Sequence, residues 1–251
     1  MTTAETTDEG IVIHARDIRH DYGLVSVLEG ISLDLHRGEI TAVIGPNGSG
    51  KTTLLRAIAS IHEPTDGTVQ YIGPQTARPI GYLPQHPEFR PGQTVESTMQ
   101  FYAGLVGGTN KSAKTALARV GMADAADRKV EALSGGMTRL LAIAQATIGN
   151  PPAIILDEPA SGLDPEMRIH VFTTLTDIAA DETAVLLSSH DLALVEETAD
   201  RLLVLDNGKP VATGRVEEIY QETKTDSLLE AFKHVIDTDP GKVRVQGVTD
   251  D

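Results

Sequence analysis

The sequence predicts an α/β fold in which a sheet of buried strands is interrupted by one inserted helical segment. Three observations predict it. Short apolar, β-branched runs recur at 40–44, 154–156, 184–187 and 202–205, each with the length of a strand buried on both faces. A glycine-rich turn at 45–53, GPNGSGKTT, follows the first run directly and leads into a helix-like stretch at 54–59. From about 86 to 150 the texture changes to helical patterns at 94–106, 111–120 and 136–148, opened by Pro87 and Pro91-Gly92 and closed by Pro151-Pro152.

In chain order, residues 1–9 are polar and acidic and are expected to be disordered. Residues 11–15 read as a strand, Asp21-Tyr22-Gly23 as a turn, and 31–36 as a half-buried strand with alternating apolar residues. Arg37-Gly38-Glu39 turns the chain into the run that precedes the glycine-rich loop. Beyond that loop's helix, the EPTDG stretch at 63–67 is a turn, 68–72 an alternating strand, and 80–83 a short strand ending at Pro84-Gln85. Asp206-Asn207-Gly208-Lys209 predicts a tight hairpin. Residues 215–223 predict a helix. A last amphipathic helix at about 226–236 would share Leu228, Leu229, Phe232, Val235 and Ile236 on one face, before a turn at Asp239-Pro240-Gly241.

The loop at 45–53 fits the pattern G-x-x-x-x-G-K-[ST] with Gly45, Gly50, Lys51 and Thr52. Glycines let the backbone bend tightly and turn its N–H groups around phosphate oxygens. The following helix directs its positive N-terminal end at the same anion. Lys51 can reach the β- and γ-phosphates, and the Thr52 hydroxyl can ligate Mg2+. Gly45, Pro46, Asn47, Gly48, Ser49, Gly50, Lys51, Thr52 and Thr53 are therefore candidate contacts for a nucleoside triphosphate, with ATP the expected ligand. A second element completes such a site. The run 153–156 ends in Asp157 and Glu158, and carboxylates at the C-terminal end of a buried strand stand where open α/β sheets bind ligands. Asp157 would hold Mg2+ through water, and Glu158 would orient or deprotonate an attacking water.

Composition excludes several classes. There is no cysteine, which removes disulfides, thiol catalysis, cysteine-ligated metals and lipid anchors on cysteine. A formal net charge of −15 opposes non-specific binding to nucleic acid, and opposes attachment to anionic lipid by a basic patch. No run approaches the roughly 18–20 apolar residues of a membrane-spanning helix, and the first ten residues do not resemble a secretory signal. Aromatic residues are only 4% of the chain, with no tryptophan, so an aliphatic core is expected.

With the phosphate loop and the acidic strand in place, the chain resembles the nucleotide-binding subunits of ABC transporters. The residues that carry the resemblance are the signature-like loop Leu133-Ser134-Gly135-Gly136-Met137, followed by Thr138-Arg139, the Ser161-Gly162-Leu163-Asp164 stretch that resembles a D-loop, and Gln85, which resembles the Q-loop glutamine. His190 in Ser188-Ser189-His190-Asp191 resembles the switch histidine, and Tyr22 the aromatic residue that stacks on adenine. The match runs in family order over roughly residues 11–215. One departure is Met137, where the family most often has glutamine; methionine lacks the amide donors and acceptor.

The resemblance implies an α/β P-loop NTPase fold with a mixed central sheet, an antiparallel β-subdomain and an inserted α-helical subdomain. The ATPase domain would span 10–225, with a C-terminal helix and tail at 226–251. The implied cofactors are ATP and Mg2+. Glu158, His190 and Lys51 would be catalytic. Thr52, Gln85 and Asp157 would serve the metal. Tyr22, Gln85, Ser134, Gly135, Gly136 and Asp164 would join the phosphate loop in holding nucleotide. The implied partners are a second nucleotide-binding subunit, paired head to tail, and a polytopic membrane permease at the cytoplasmic face of the cell membrane. Neither nucleic acid nor direct insertion into the bilayer is implied. Signatures with Met137 resemble those of drug, lantibiotic and ABC-2 exporters, which leans the reading toward export. An importer's ATPase, or a soluble ABC ATPase such as one serving iron–sulfur assembly, is the alternative. A single phosphate loop and signature count against a tandem translation-type ATPase.

Overall fold

The computed structural model describes residues 10–236. Its strands are β1 (Ile11–Tyr22), β2 (Val25–His36), β3 (Ile40–Ile44), β4 (Asp66–Tyr71), β5 (Ile80–Leu83), β6 (Ala153–Leu156), β7 (Ala184–Ser188), β8 (Arg201–Asp206) and β9 (Lys209–Arg215). Its helices are α1 (Lys51–Ile58), α2 (Val95–Leu105), α3 (Asn110–Arg119), α4 (Gly135–Thr147), α5 (Pro165–Ala180), α6 (Leu192–Thr198), α7 (Val216–Thr223) and α8 (Leu228–Val235).

The central sheet has the order β5-β6-β7-β3-β8-β9. The first five strands are parallel, because each is reached through a crossover containing helix. β9 returns antiparallel to β8 through Asn207-Gly208, both at positive φ (47° and 78°), as the predicted two-residue hairpin requires. A separate antiparallel sheet has the order β2-β1-β4. The expected mixed sheet and antiparallel β-subdomain are both present, and α2, α3 and α4 lie between β5 and β6 in the chain.

The central strands are apolar on both faces, and alternation along each strand divides them between two cores. Ile40, Ala42, Ile44, Ile154, Leu156, Val185, Leu187, Leu202 and Val204 face the side covered by α2 to α8. Val43, Ala153, Ile155, Ala184, Leu186, Leu203 and Leu205 face α1 and the antiparallel sheet. Phe172 is the largest fully buried side chain, so the core is aliphatic as the composition predicts.

The structure corrects several element assignments. β1 continues through Asp21 and Tyr22, and the turn is confined to Gly23 and Leu24, because pairing with β2 extends to Tyr22 opposite Val25. The sequence reading leaves α5 and α6 unassigned. Three threonines and Val171 lower the propensity of α5, but burial of Val171, Phe172, Leu175, Ile178 and Ala179 along one face outweighs this. Leu229 does not share the buried face of α8; it is 50% exposed, and Ala231 takes the inward place beside Leu228. The expectations for residues 1–9, the turn at 239–241 and the tail lie outside the described residues.

Gly81 of β5 fixes how closely α4 approaches the sheet. A Cβ there would stand 2.0 Å from the Ala146 carbonyl oxygen, a backbone atom that cannot move aside alone. Gly81→Ala is expected to destabilise the chain by about 1–3 kcal/mol, the usual range for overpacking. A urea unfolding curve with an unchanged midpoint would contradict this close contact.

Candidate functional site

The glycine-rich loop is clamped between neighbouring strands. A side chain at Gly45 would meet the Leu205 carbonyl at 2.2 Å, and one at Gly50, at φ 100°, would meet the Val27 carbonyl at 2.8 Å. Only glycine allows both approaches. α1 has no side chain capping its N-terminus, so its first N–H groups remain available to an anion. Lys51 is buried, and its ammonium donates to the Gly45 and Pro46 carbonyls at 2.9 and 3.0 Å. Burial pulls its pKa down, while Glu158 and Asp157 oppose the shift. The buried Ser49 hydroxyl has no partner. A cleft of about 310 Å³ opens here, where Val27 and the loop meet Thr52, Thr53, Gln85 and Glu158.

At the end of β6, Asp157 is fully buried at 0% exposure. Its Oδ1 accepts from the Ser188 hydroxyl at 2.8 Å and the Thr52 hydroxyl at 3.2 Å, while its Oδ2 has no partner. A buried carboxylate oxygen left open beside a threonine hydroxyl is a hard donor set. Among the described residues, no group of three or more His, Cys, Asp or Glu could hold a metal without further donors. The Thr52 hydroxyl and the open Asp157 oxygen fit Mg2+, which takes one or two protein oxygens and keeps its other ligands as water and phosphate oxygens.

Glu158 has a left-handed backbone, φ 48°, which costs a non-glycine residue on the order of 1–3 kcal/mol. The Ser188 hydroxyl holds it there by accepting the Glu158 N–H at 2.9 Å. The turned-out carboxylate lies 2.7 Å from His190 Nε2 through one oxygen, and accepts from Gln85 Nε2 at 3.4 Å through the other. Lys51, Thr52, Gln85, Asp157, Glu158 and His190, predicted from four separate stretches, are therefore brought together.

Other predicted residues stand elsewhere. Ser134, Gly135 and Gly136 begin α4, and Ser134 caps the helix by accepting the Met137 N–H at 3.2 Å. Asp164 caps α5 by accepting the Met167 N–H at 3.0 Å. Neither group lines the phosphate cleft. The Met137 sulfur lies 3.9 Å from Arg128 and joins Met167 and Leu140 around a separate cavity. Tyr22 is half exposed near the tip of the β1–β2 hairpin, edge-on to His20 with ring centroids 4.7 Å apart. It does not wall the cleft, although Val27 of the same hairpin does.

Residues 28–161, more than half of the chain, match the ABC transporter family. The chain belongs to that family. This ABC chain is 33% identical over 232 residues to the Nod factor export ATP-binding protein I of Ralstonia nicotianae, covering 88% of this chain and 72% of that protein. It is 31% identical over 239 residues to the glutamine transport ATP-binding protein GlnQ of Escherichia coli, covering 89% of this chain and 100% of that one. It also superposes on a solved ATP-binding subunit of an ABC transporter with a TM-score of 0.80 and 27% identity, over 89% of this chain and 99% of that one. Fold, sequence and motifs agree on an ATP-binding subunit of the ABC transporter type. One relative is named for export and another for glutamine transport, so the family match spans more than one kind of transport.

Sequence reasoning gave no role to three residues that organise this site. Ser188 ends β7 and serves both acids. Arg168 of α5 pairs with Asp191 at 2.8 Å, tying α5 to the residue after His190. Arg139 of α4 reaches the Gln85 backbone. The signal available for Ser188 is its place as the last residue of an otherwise apolar strand. The arginine partners lie 23 and 54 residues away, beyond any local pattern.

Ser188→Ala is expected to raise the Mg2+ concentration needed for half-maximal ATP hydrolysis by about 10-fold, the lower end of the effect of losing a group that orients a metal ligand. A Mg2+ titration of the variant that superimposes on the wild type would contradict the role drawn from these contacts.

Proposed function

We propose that this ABC chain is the ATP-hydrolysing subunit of an exporter, driving a separate polytopic permease through ATP-dependent, head-to-tail pairing with a second nucleotide-binding subunit. The observation that carries the reading is the division of the machinery. One chain gathers the phosphate loop, Gln85 and Glu158 in one cleft, with Asp157 and His190 bonded to its lining, yet leaves Ser134 and Gly135 exposed and Gly136 half-buried, all three outside it. A two-fold pair brings the exposed helix start of each chain to the cleft of the other and makes two equivalent sites. The Nod factor export relative and the Met137 signature support export.

In this reading Lys51 exchanges the Gly45 and Pro46 carbonyls for phosphate oxygens, and the loop N–H groups and Ser49 complete the anion cradle. Thr52 and Asp157, whose Oδ2 is open, would hold Mg2+. The ion supplies neutralisation of developing phosphate charge. Glu158 accepts the proton of the attacking water, and its left-handed backbone turns the carboxylate out of the strand toward the cleft. His190 and Gln85, which share that carboxylate, orient the water and the γ-phosphate. Tyr22 stacks on the adenine, and Asp164 lies at the surface between chains. The exposed Phe101 and Leu105 of α2, near the segment that follows Gln85, offer an apolar surface for the permease. No helix among the described residues is long and apolar enough to cross a membrane. The reading assigns attachment at the cytoplasmic face to the permease.

Glu158→Gln is expected to bind ATP normally and to hydrolyse it at least about 100-fold more slowly, since loss of a general base costs roughly 10²–10⁴. Near-normal turnover in a steady-state phosphate-release assay would remove Glu158 from this role.

A further inference from the structure

α4 carries two unlike ends of the mechanism. Its first turn bears the exposed Ser134, and one and a half turns on it bears Arg139, which is only 8% exposed. The following residues of α4 are mainly aliphatic and buried, so a guanidinium here is out of character with its surroundings. Burying a charge is costly, and a leucine or methionine would satisfy this packing at less cost. The hydrogen bonds of the Arg139 guanidinium go to main-chain carbonyls. Its NH1 donates to two backbone carbonyls, that of Gln85 at 2.9 Å and, more weakly, that of Pro84 at 3.4 Å. These carbonyls stand where the chain leaves β5 for the helical segment, and the Gln85 side chain there contacts Glu158. Burial lowers the pKa of Arg139, and attraction from Glu158 and Asp157 opposes that shift, so both acids lie within its field.

We infer that Arg139 is a positioning residue that holds the Gln85 backbone so that its side chain meets Glu158, and that it fixes the signature-loop helix to the chain's own nucleotide cleft. The inference rests on the ATPase reading for its kinetic consequence, but its structural half stands on the two carbonyl bonds. Both bonds leave from one guanidinium nitrogen, so the length and charge of the side chain make the contact, and a lysine ammonium can meet part of it.

The test compares Arg139→Met, Arg139→Lys, Gln85→Ala and the double variant Arg139→Met/Gln85→Ala with the full wild-type chain. In nucleotide-free protein, Arg139→Met is expected to speed amide hydrogen exchange in the segment 85–90 by about tenfold or more while leaving β3 unchanged. For ATP hydrolysis, kcat is expected to fall about 10- to 100-fold with KM within about threefold, as misplacement near reacting groups produces. Arg139→Lys is expected to recover part of the loss, and the double variant to be no slower than Gln85→Ala alone. Unchanged exchange in 85–90, exchange raised equally throughout the chain, a kcat within twofold of the wild type, or losses that multiply in the double variant would each overturn the inference. A wild-type chain that does not hydrolyse ATP would sink the functional reading instead, and the exchange result would still decide the structural half.

Discussion

The parallel register of β6, β7 and β3 is the constraint on which the site depends. Leu156 pairs with Leu187 and Val43 with Ser188, so Asp157, Ser188 and the mouth of the phosphate loop emerge at one edge of the sheet. A slip of one residue would turn Asp157 toward the opposite face and take its carboxylate away from Ser188 and Thr52. These strands are apolar on both faces, so hydrophobic alternation alone specifies their register weakly. The polar ends supply what the apolar middles lack. Asp157 accepts from hydroxyls on β7 and α1, and the Asp157 N–H donates to Leu83 of β5 at 2.9 Å. The groups proposed to serve the chemistry thus also fix the sheet.

The same economy appears in Glu158. A left-handed glutamate is strained, and Ser188 offsets the strain by accepting its N–H. The carboxylate is then held by His190 and Gln85, which arrive from β7 and from the exit of β5. Lys51 rests on loop carbonyls, and Glu158 rests on His190 and Gln85. The cleft is preorganised in position, with Ser49 Oγ and Asp157 Oδ2 left as buried polar atoms for a ligand to satisfy.

Much of this was legible in the sequence because phosphate chemistry demands particular residues at fixed spacing. Gly45, Gly50, Lys51 and Thr52 need one another within a single loop, and Asp157 with Glu158 needs only a strand before it. β3 and β5 were readable to their end residues for a related reason: turn chemistry bounds both. α5 was not readable, since its threonines speak against helix and only the tertiary burial of Phe172 and Leu175 decides for it. Leu229 was misplaced because an eight-residue helix gives a periodic pattern little length in which to settle its phase. The roles of Ser188, Arg168 and Arg139 depend on contacts between distant segments. Such pairings become visible only when the sheet order is known.

The central claim is that one chain makes only part of each nucleotide site and that Ser134 of a second chain completes it. Mixing two inactive variants tests this most directly. Lys51→Ala disables the phosphate loop and keeps the signature loop, whereas Ser134→Arg does the reverse. If sites are shared between chains, a mixed pair regains one intact site. An equal mixture should then recover ATPase activity well above the sum of its parts, toward about a quarter of the wild-type rate expected from random two-fold pairing. A mixture no more active than the two variants measured separately, or a Ser134→Arg chain that hydrolyses ATP at the wild-type rate, would contradict the account.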